Sequence, residues 1–449
     1  MVDKINEAKL GSMSVTQIGI SSWPTARGSQ TEFTRHHGKA NSDRFKKALR
    51  TGDPLADALV EFEGKQRMRA GKQLQQGLEF GLASLEQPDT TVASLLRSTE
   101  PLCTREEQAL ISTGPRAWCA VPFRLHLLSM SAGALIGIYS SPSIASVLSA
   151  TGRLQNDTET RLRMTARWLS STMLPGSLAP GKAGYIATVQ LRLMHARARR
   201  AARKNGHDEA RFGTPINQID LAHTWLAFTL GSMRAEASLG FAPSDTSVSE
   251  TYAYWQRLAR LLGIDDKLVG NIRSHADAER LEAMIGTTSG TPERASVTLT
   301  EQTLRAVANA LDEISALPGS VSRKVLETLV RRIHGDNRAD VLEVGSTPGL
   351  GALMAPVTAI ARVHRAAQRD PIKHWSFARA GRYGDALTVA LSARENQPGY
   401  ATPLIELASA SARLSIDRTE MHISAHDDHT IAPKPTTGTD LPTRFDRAA

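Results

Sequence analysis

Arg192-Leu193-Met194-His195-Ala196-Arg197-Ala198-Arg199 reads as the middle of a helix predicted over residues 184–204. Offsets of three and seven residues bring Arg192, His195 and Arg199 onto one face of that helix. A neutral imidazole between two guanidinium groups is an odd content for a packed core. It suits a ligand that offers a metal to the imidazole and carboxylates to the arginines, and haem offers both. A hydrogen-bonded structural histidine beside a solvated basic face fits the same eight residues, so the octet alone does not choose.

The chain on both sides of it is helical in pattern. Asp53-Pro54 predicts a helix start, with Asp53 as N-cap and Pro54 in the first turn, followed by Leu55, Ala58, Leu59 and Phe62. Apolar residues recur at helical spacing over 72–85, 91–96, 124–139, 143–151, 158–173, 215–235 and 249–262. The pattern continues over 276–284, 300–316, 322–334, 351–368 and roughly 383–413. Alternating strands rich in Val, Ile and Tyr are scarce. The expected fold class is all-α, one large helical domain.

Composition narrows the function classes. Of 449 residues 41% are hydrophobic and 22% charged, ordinary values for a globular protein. The net charge of +9 would suit nucleic acid or an anionic surface. Only 5% of residues are aromatic, and there is no zinc-finger spacing, so no nucleic-acid partner is expected. Cys103 and Cys119 cannot build a disulfide framework and lack metal-ligand spacing, which fits a reducing compartment. Residues 1–20 carry Asp3, Lys4, Glu7 and Lys9 and no signal-like apolar run. No run reaches the ~18 apolar residues of a membrane span, and a cytoplasmic location is expected.

Residues 108–156 contain no Asp or Glu, which suits either dense core or the lining of an apolar cavity. Arg161 and Thr165, four apart, share a face on the helix predicted over 158–173 and would need acceptors if that face is covered. In the block Gly213–Phe228, Thr214 is read as N-cap and Pro215 as the first helical residue. His223 in that block is a candidate second iron ligand or a partner for a neighbouring helix, with Asn217 or Asp220 fixing the helix entrance. Arg197, Arg200, Arg203 and Lys204 read as a solvated helix end that complements the dipole.

Several blocks, in this order and spacing, resemble the latex clearing protein (rubber oxygenase) and MpaB oxygenase family. They are Ala150-Thr151-Gly152-Arg153-Leu154, Arg161–Thr165, Leu191–Ala196 and Pro215-Ile216-Asn217-Gln218. Thr51-Gly52-Asp53-Pro54-Leu55-Ala56-Asp57 upstream, and Tyr254-Trp255 with Leu262-Gly263-Ile264 downstream, look similar too. The resemblance covers roughly residues 40–350. It implies an all-α, globin-like core holding haem b, with O2 as co-substrate and cleavage of a C=C bond in an isoprenoid chain. His195 would take the place of the proximal iron ligand, and Arg161 and Thr165 would stand at important pocket positions. Helix geometry would let Arg192 and Arg199 pair with the propionates, at about 1.5–3 kcal/mol for each charged hydrogen bond.

Two departures bear on the substrate. Rubber-cleaving members have a glutamate upstream of the Thr-Gly-Arg block, proposed as the base, whereas residues 139–154 here contain no acid. They also have a lysine just before the distal threonine, where this chain has Met164. Base assistance is typically worth about 10²–10⁴ in rate. The expectation is therefore a haem-dependent oxygenase of a small or medium hydrophobic substrate, served by an electron donor. The alternatives are a non-catalytic haem sensor or carrier and a helical scaffold without cofactor. The expected division is a disordered arm over 1–40, the haem-binding domain over 41–350, a helical extension over 351–420 and a disordered tail over 421–449.

Overall fold

The computed structural model describes residues 22–353 apart from 102–103, 116–117, 119–120, 122, 151–157 and 316–317, with scattered positions on to 362. Among the described residues every regular element is a helix. The Ala150–Leu154 block beyond Ala150, both cysteines and the C-terminal elements expected over 383–413 and 421–449 lie outside the described residues. Residues 351–420 are described only in their first positions.

The arm expected over 1–40 gives way to ordered chain before its end. Helix α1 spans Gln30–His37 and α2 spans Lys39–Leu49. Arg27 ahead of them is buried, and its guanidinium donates to both oxygens of Asp220 at 2.8 and 2.9 Å. A charge so placed is tolerable only when paired, which is why this segment is tied down. His36 and His37 form no metal site; His37 lies 3.0 Å from the Thr287 hydroxyl.

Helix α3, Pro54–Phe80, starts where Asp53-Pro54 predicts, with Asp53 accepting from the Ala56 amide at 3.2 Å. It runs straight through the break expected before residue 72. Then come α4 (Thr90–Thr99), α5 (Arg105–Thr113), α6 (residues 123–139) and α7 (Pro142–Ala150). After them α8 (Thr158–Thr172) and α9 (Ala183–Lys204) form a hairpin. Helix α10 covers residues 218–238, α11 Asp245–Leu261, α12 His275–Thr288, α13 Arg294–Ser315 and α14 Gly319–His334.

The α10 entrance differs from the expected one. Ile216 takes φ 52° and ends the Thr214-Pro215 segment, so the helix begins three residues later than a Thr214 cap would start it. Asn217 is the cap, accepting from the amides of Ile219 and Asp220 at 3.0 Å each. Asp220 secures the same entrance by accepting from Ser143 and Asn217 at 2.6 and 2.8 Å.

Between residues 129 and 143 the acid-free stretch is core. Ala132, Ala134, Ile136 and Ile138 of α6 are buried, and residues 129–135 wind as a π-helix. Residues 227–231 of α10 do the same, and the two helices cross closely where Gly133 faces Gly231 and Ala235. A second apolar cluster joins Leu304, Val307 and Leu311 of α13 to Leu326, Leu329 and Val330 of α14 and to Ile136. Leu162 of α8 packs against both clusters, so α8 lies along their seam. Among the described residues no single helix is long and apolar enough to cross a membrane. The α6–α7 pair reaches that composition only across a 91° bend.

Candidate functional site

The α8–α9 hairpin has a fixed register. Gly184 is required at its base, because a Cβ there would stand 2.9 Å from the Ser171 carbonyl oxygen. One turn on, the Trp168 indole donates to the Thr188 hydroxyl at 3.1 Å. Counted from that bond, Arg161 stands seven residues back along α8 and His195 seven residues forward along α9.

Arg192 and Arg199 face α3, and the carboxylates they meet belong to the protein. Arg192 donates through Nε and Nη2 to Asp53 at 2.5 and 2.9 Å, with both side chains only 4% exposed. Arg199 Nε donates to Asp57 at 2.8 and 3.0 Å, and its Nη1 donates to the Ile216 carbonyl at 2.7 Å. Arg192 is thus taken up by a structural pair, while Arg199 keeps one sealed nitrogen, Nη2, without an acceptor among the described residues. Gln218 closes the group by donating to the carbonyls of Gly52 and Gly263 at 2.7 and 2.9 Å. Gly263, at φ 74°, lies so near that a Cβ would meet Asp53 Oδ2 at 2.3 Å and Arg192 Nε at 2.6 Å. Residues 51–57, 192–199, 215–218 and 262–264, scattered in sequence, converge here to pin α9 to α3.

His195 takes part in none of those bonds. Its ring is half-buried, and its Nδ1 is sealed from solvent with no hydrogen-bond partner among the described residues. Burial first, and then the positive charge of Arg199, push its pKa down to about 4 against a weaker pull from Asp53. The ring is therefore neutral at pH 7, the form that can give a lone pair to a metal. On α8, Arg161 has Nε and Nη2 sealed and without acceptor among the described residues. The Arg161 guanidinium lies over the Tyr139 ring, 5.4 Å from its centre. Thr165 spends its hydroxyl proton on the Arg161 carbonyl at 2.9 Å, so what it can offer a ligand is an acceptor.

His223 stands on α10, and the charges that act on it are Asp220, Arg338, Arg27 and His334. None of these acts on His195, whose charged neighbours are Arg199 and Asp53, so the two imidazoles are not brought together. Among the described residues no group of three or more His, Cys, Asp or Glu could hold a bare metal ion. Haem, which brings its own four nitrogens, needs only one such protein ligand.

Three histidines, His195, His223 and His334, are held to about 4 chiefly by burial. Unfolded, each returns to about 6.5. Their contribution to stability is whole above pH 6.5 and is lost as the pH falls from there towards 4. Midway, three protons separate the two states, a slope of about 4 kcal/mol per pH unit. Urea unfolding midpoints should therefore fall steeply between about pH 6.5 and pH 5. A midpoint that stays flat across that window would show that these rings are not buried in their neutral form.

A family model described as ER-bound oxygenase mpaB/B'/Rubber oxygenase, catalytic domain, matches residues 122–366, more than half of the chain. The chain belongs to this family. The matched region contains Arg161, Thr165 and His195, while the Asp53 and Asp57 that hold the His195 helix lie ahead of it. A solved structure entitled "Structure of Latex Clearing Protein LCP in the closed state" superposes with a TM-score of 0.54. It covers 75% of this chain and 91% of that one, at 16% identity. At that identity the likeness is one of fold, and it supports the all-helical architecture. No curated protein matches the chain.

The site also holds what the sequence did not single out. Asp53 and Asp57 were visible only as the start of a helix, and Gln218 only as part of a block.

Proposed function

We propose that this member of the oxygenase mpaB/rubber oxygenase family binds haem b. It uses O2 to oxidise a hydrophobic, isoprenoid-like substrate. One observation carries the reading: α9 bears a neutral imidazole with a sealed, unpartnered nitrogen, and α8, packed against it, bears a guanidinium with two sealed, unpartnered nitrogens. Orphaned buried polar groups are rare and call for a missing partner. An iron porphyrin with carboxylate side chains supplies both kinds, so the residues present fit the group.

In this reading His195 holds the iron and Arg161 takes a carboxylate or other anionic edge, at about 1.5–3 kcal/mol for the charged hydrogen bond. Arg192 and Arg199 do not touch the ligand; through Asp53 and Asp57 they fix the helix that carries His195. The bound group would supply the oxygen chemistry. Thr165 offers an acceptor oxygen on the same face, and Tyr139 with Leu162 keeps that face apolar. No acid stands in residues 139–154, so cleavage of poly(isoprene) by the glutamate route is not part of the proposal.

The test is turnover. The reduced protein, in air with a chemical donor, is given a panel of terpenoids and other apolar alkenes, and products are read by mass spectrometry. An oxygenated product that depends on O2 is the expected result. Binding of O2 or carbon monoxide with no product from any member would overturn it in favour of a sensor or carrier.

A further inference from the structure

With Nε and Nη2 of Arg161 unbonded among the described residues, the contact that gives the guanidinium a direction is the Tyr139 ring beneath it. Where that ring stands is set by the end of α6. Tyr139 is the last residue of that helix, only 4% exposed, and from there the chain turns by 91° into α7. The turn itself is local. The Ser140 and Ser141 amides donate to the Ile136 and Ile138 carbonyls at 3.0 and 3.1 Å, which shapes the corner but does not fix it against the rest of the molecule.

Ser143, in the first turn of α7, does that. Its hydroxyl donates to Asp220 Oδ2 at 2.6 Å and accepts from Arg27 Nη2 at 2.6 Å. The same Nη2 reaches both oxygens of Asp220, and Arg27 Nε donates to the Phe212 carbonyl at 3.0 Å. The Arg27 and Asp220 side chains are 3% and 5% exposed, so these bonds act in a dry interior where they are strong. The segment that carries Arg27 is itself held. The Thr25 and Ala26 amides donate to the Ala210 and Arg211 carbonyls at 3.1 and 2.8 Å. A Cβ on Gly290 would stand 2.2 Å from the Ala26 carbonyl oxygen and 3.2 Å from Pro142 Cγ, so this strap and the first residue of α7 press on one glycine. The strap lies ahead of residues 122–366, which the family model matches.

We infer that Arg27 is a positioning residue for the site. By locking Ser143 to Asp220 it fixes the α6–α7 corner, and through Tyr139 at that corner it fixes where Arg161 presents its guanidinium. Arg27 does not touch the ligand; its effect on the ligand passes through Arg161. The inference rests on the haem reading above, in which Arg161 takes a carboxylate or other anionic edge of the bound group.

The experiment is a double-mutant cycle on the rate at which haem leaves the full chain, read by its transfer to excess apomyoglobin. The four proteins are the parent, Arg27→Lys, Arg161→Ala and the double variant. Lysine keeps the charge that Asp220 needs, but one ammonium cannot reach the Phe212 carbonyl and the Ser143–Asp220 pair together. Each single variant should release haem roughly tenfold faster, the size expected when one charged hydrogen bond is lost or misdirected. In the Arg161→Ala background Arg27→Lys should add nothing. Tyr139→Leu should follow the same pattern, which keeps the cycle decisive if Arg27→Lys does not fold. An effect of Arg27→Lys and of Tyr139→Leu that is equal in both backgrounds would show a merely structural role and overturn the inference, as would an unchanged rate in the single variants. Those results leave the haem reading standing. A parent chain that takes up no haem overturns that reading, and this inference with it.

Discussion

Asp53→Ala lowers the unfolding free energy by about 3–5 kcal/mol, the cost of leaving one member of a buried ion pair alone. The size follows from where Arg192 sits. Its guanidinium is 4% exposed and donates twice to Asp53, and its third nitrogen finds only the Ser98 hydroxyl at 3.3 Å. Without the carboxylate a full positive charge stays in the core with no counter-charge. The same substitution removes the N-cap of α3, worth about 1 kcal/mol more. Asp57→Ala is the internal control. Its side chain is 30% exposed, and Arg199 keeps its bond to the Ile216 carbonyl, so the loss should be clearly smaller. Urea denaturation of the two variants beside the parent chain measures both. A loss below about 1 kcal/mol for Asp53→Ala would mean that α9 is not held to α3 through this pair.

Much of the architecture could be read from the chain because helix periodicity and start signals are local. The helices over 158–172 and 183–204 fall within a residue or so of their expected bounds. So does the start of α3 at Asp53-Pro54. Where the reading went astray, the deciding contact was remote. Nothing around Arg192 and Arg199 says that their acceptors lie 139 and 142 residues earlier, on the first turn of α3. Their shared face with His195 suggested a common ligand, but carboxylates from a distant segment of the chain reach the same arginines.

Thr214-Pro215 has the right residues for a helix start, and it lost to Asn217 because Ile216 is driven to positive φ beside Arg199. The arm over 1–40 looked polar and mobile because Arg27 gives no sign in sequence of the Asp220 it meets. For His195 the sequence showed only the lesser cause of its neutral state, the charge of Arg199; the larger one, burial, comes from remote packing.

The second large effect is the loss of haem on replacing His195, the one imidazole on this face with a free sealed nitrogen among the described residues. Arg192→Ala and Arg199→Ala would perturb the fold and blur the answer, whereas His195→Ala breaks none of the ion pairs that hold α9 to α3. The direct measurement is haem content, by absorbance at the Soret band and pyridine haemochrome, in the parent chain and in His195→Ala produced with added haem precursor. Circular dichroism confirms that helix content is kept. The account predicts about one haem per parent chain and essentially none in the variant. Full haem occupancy in His195→Ala, or a fully folded parent chain that takes up no haem when it is supplied, would contradict it.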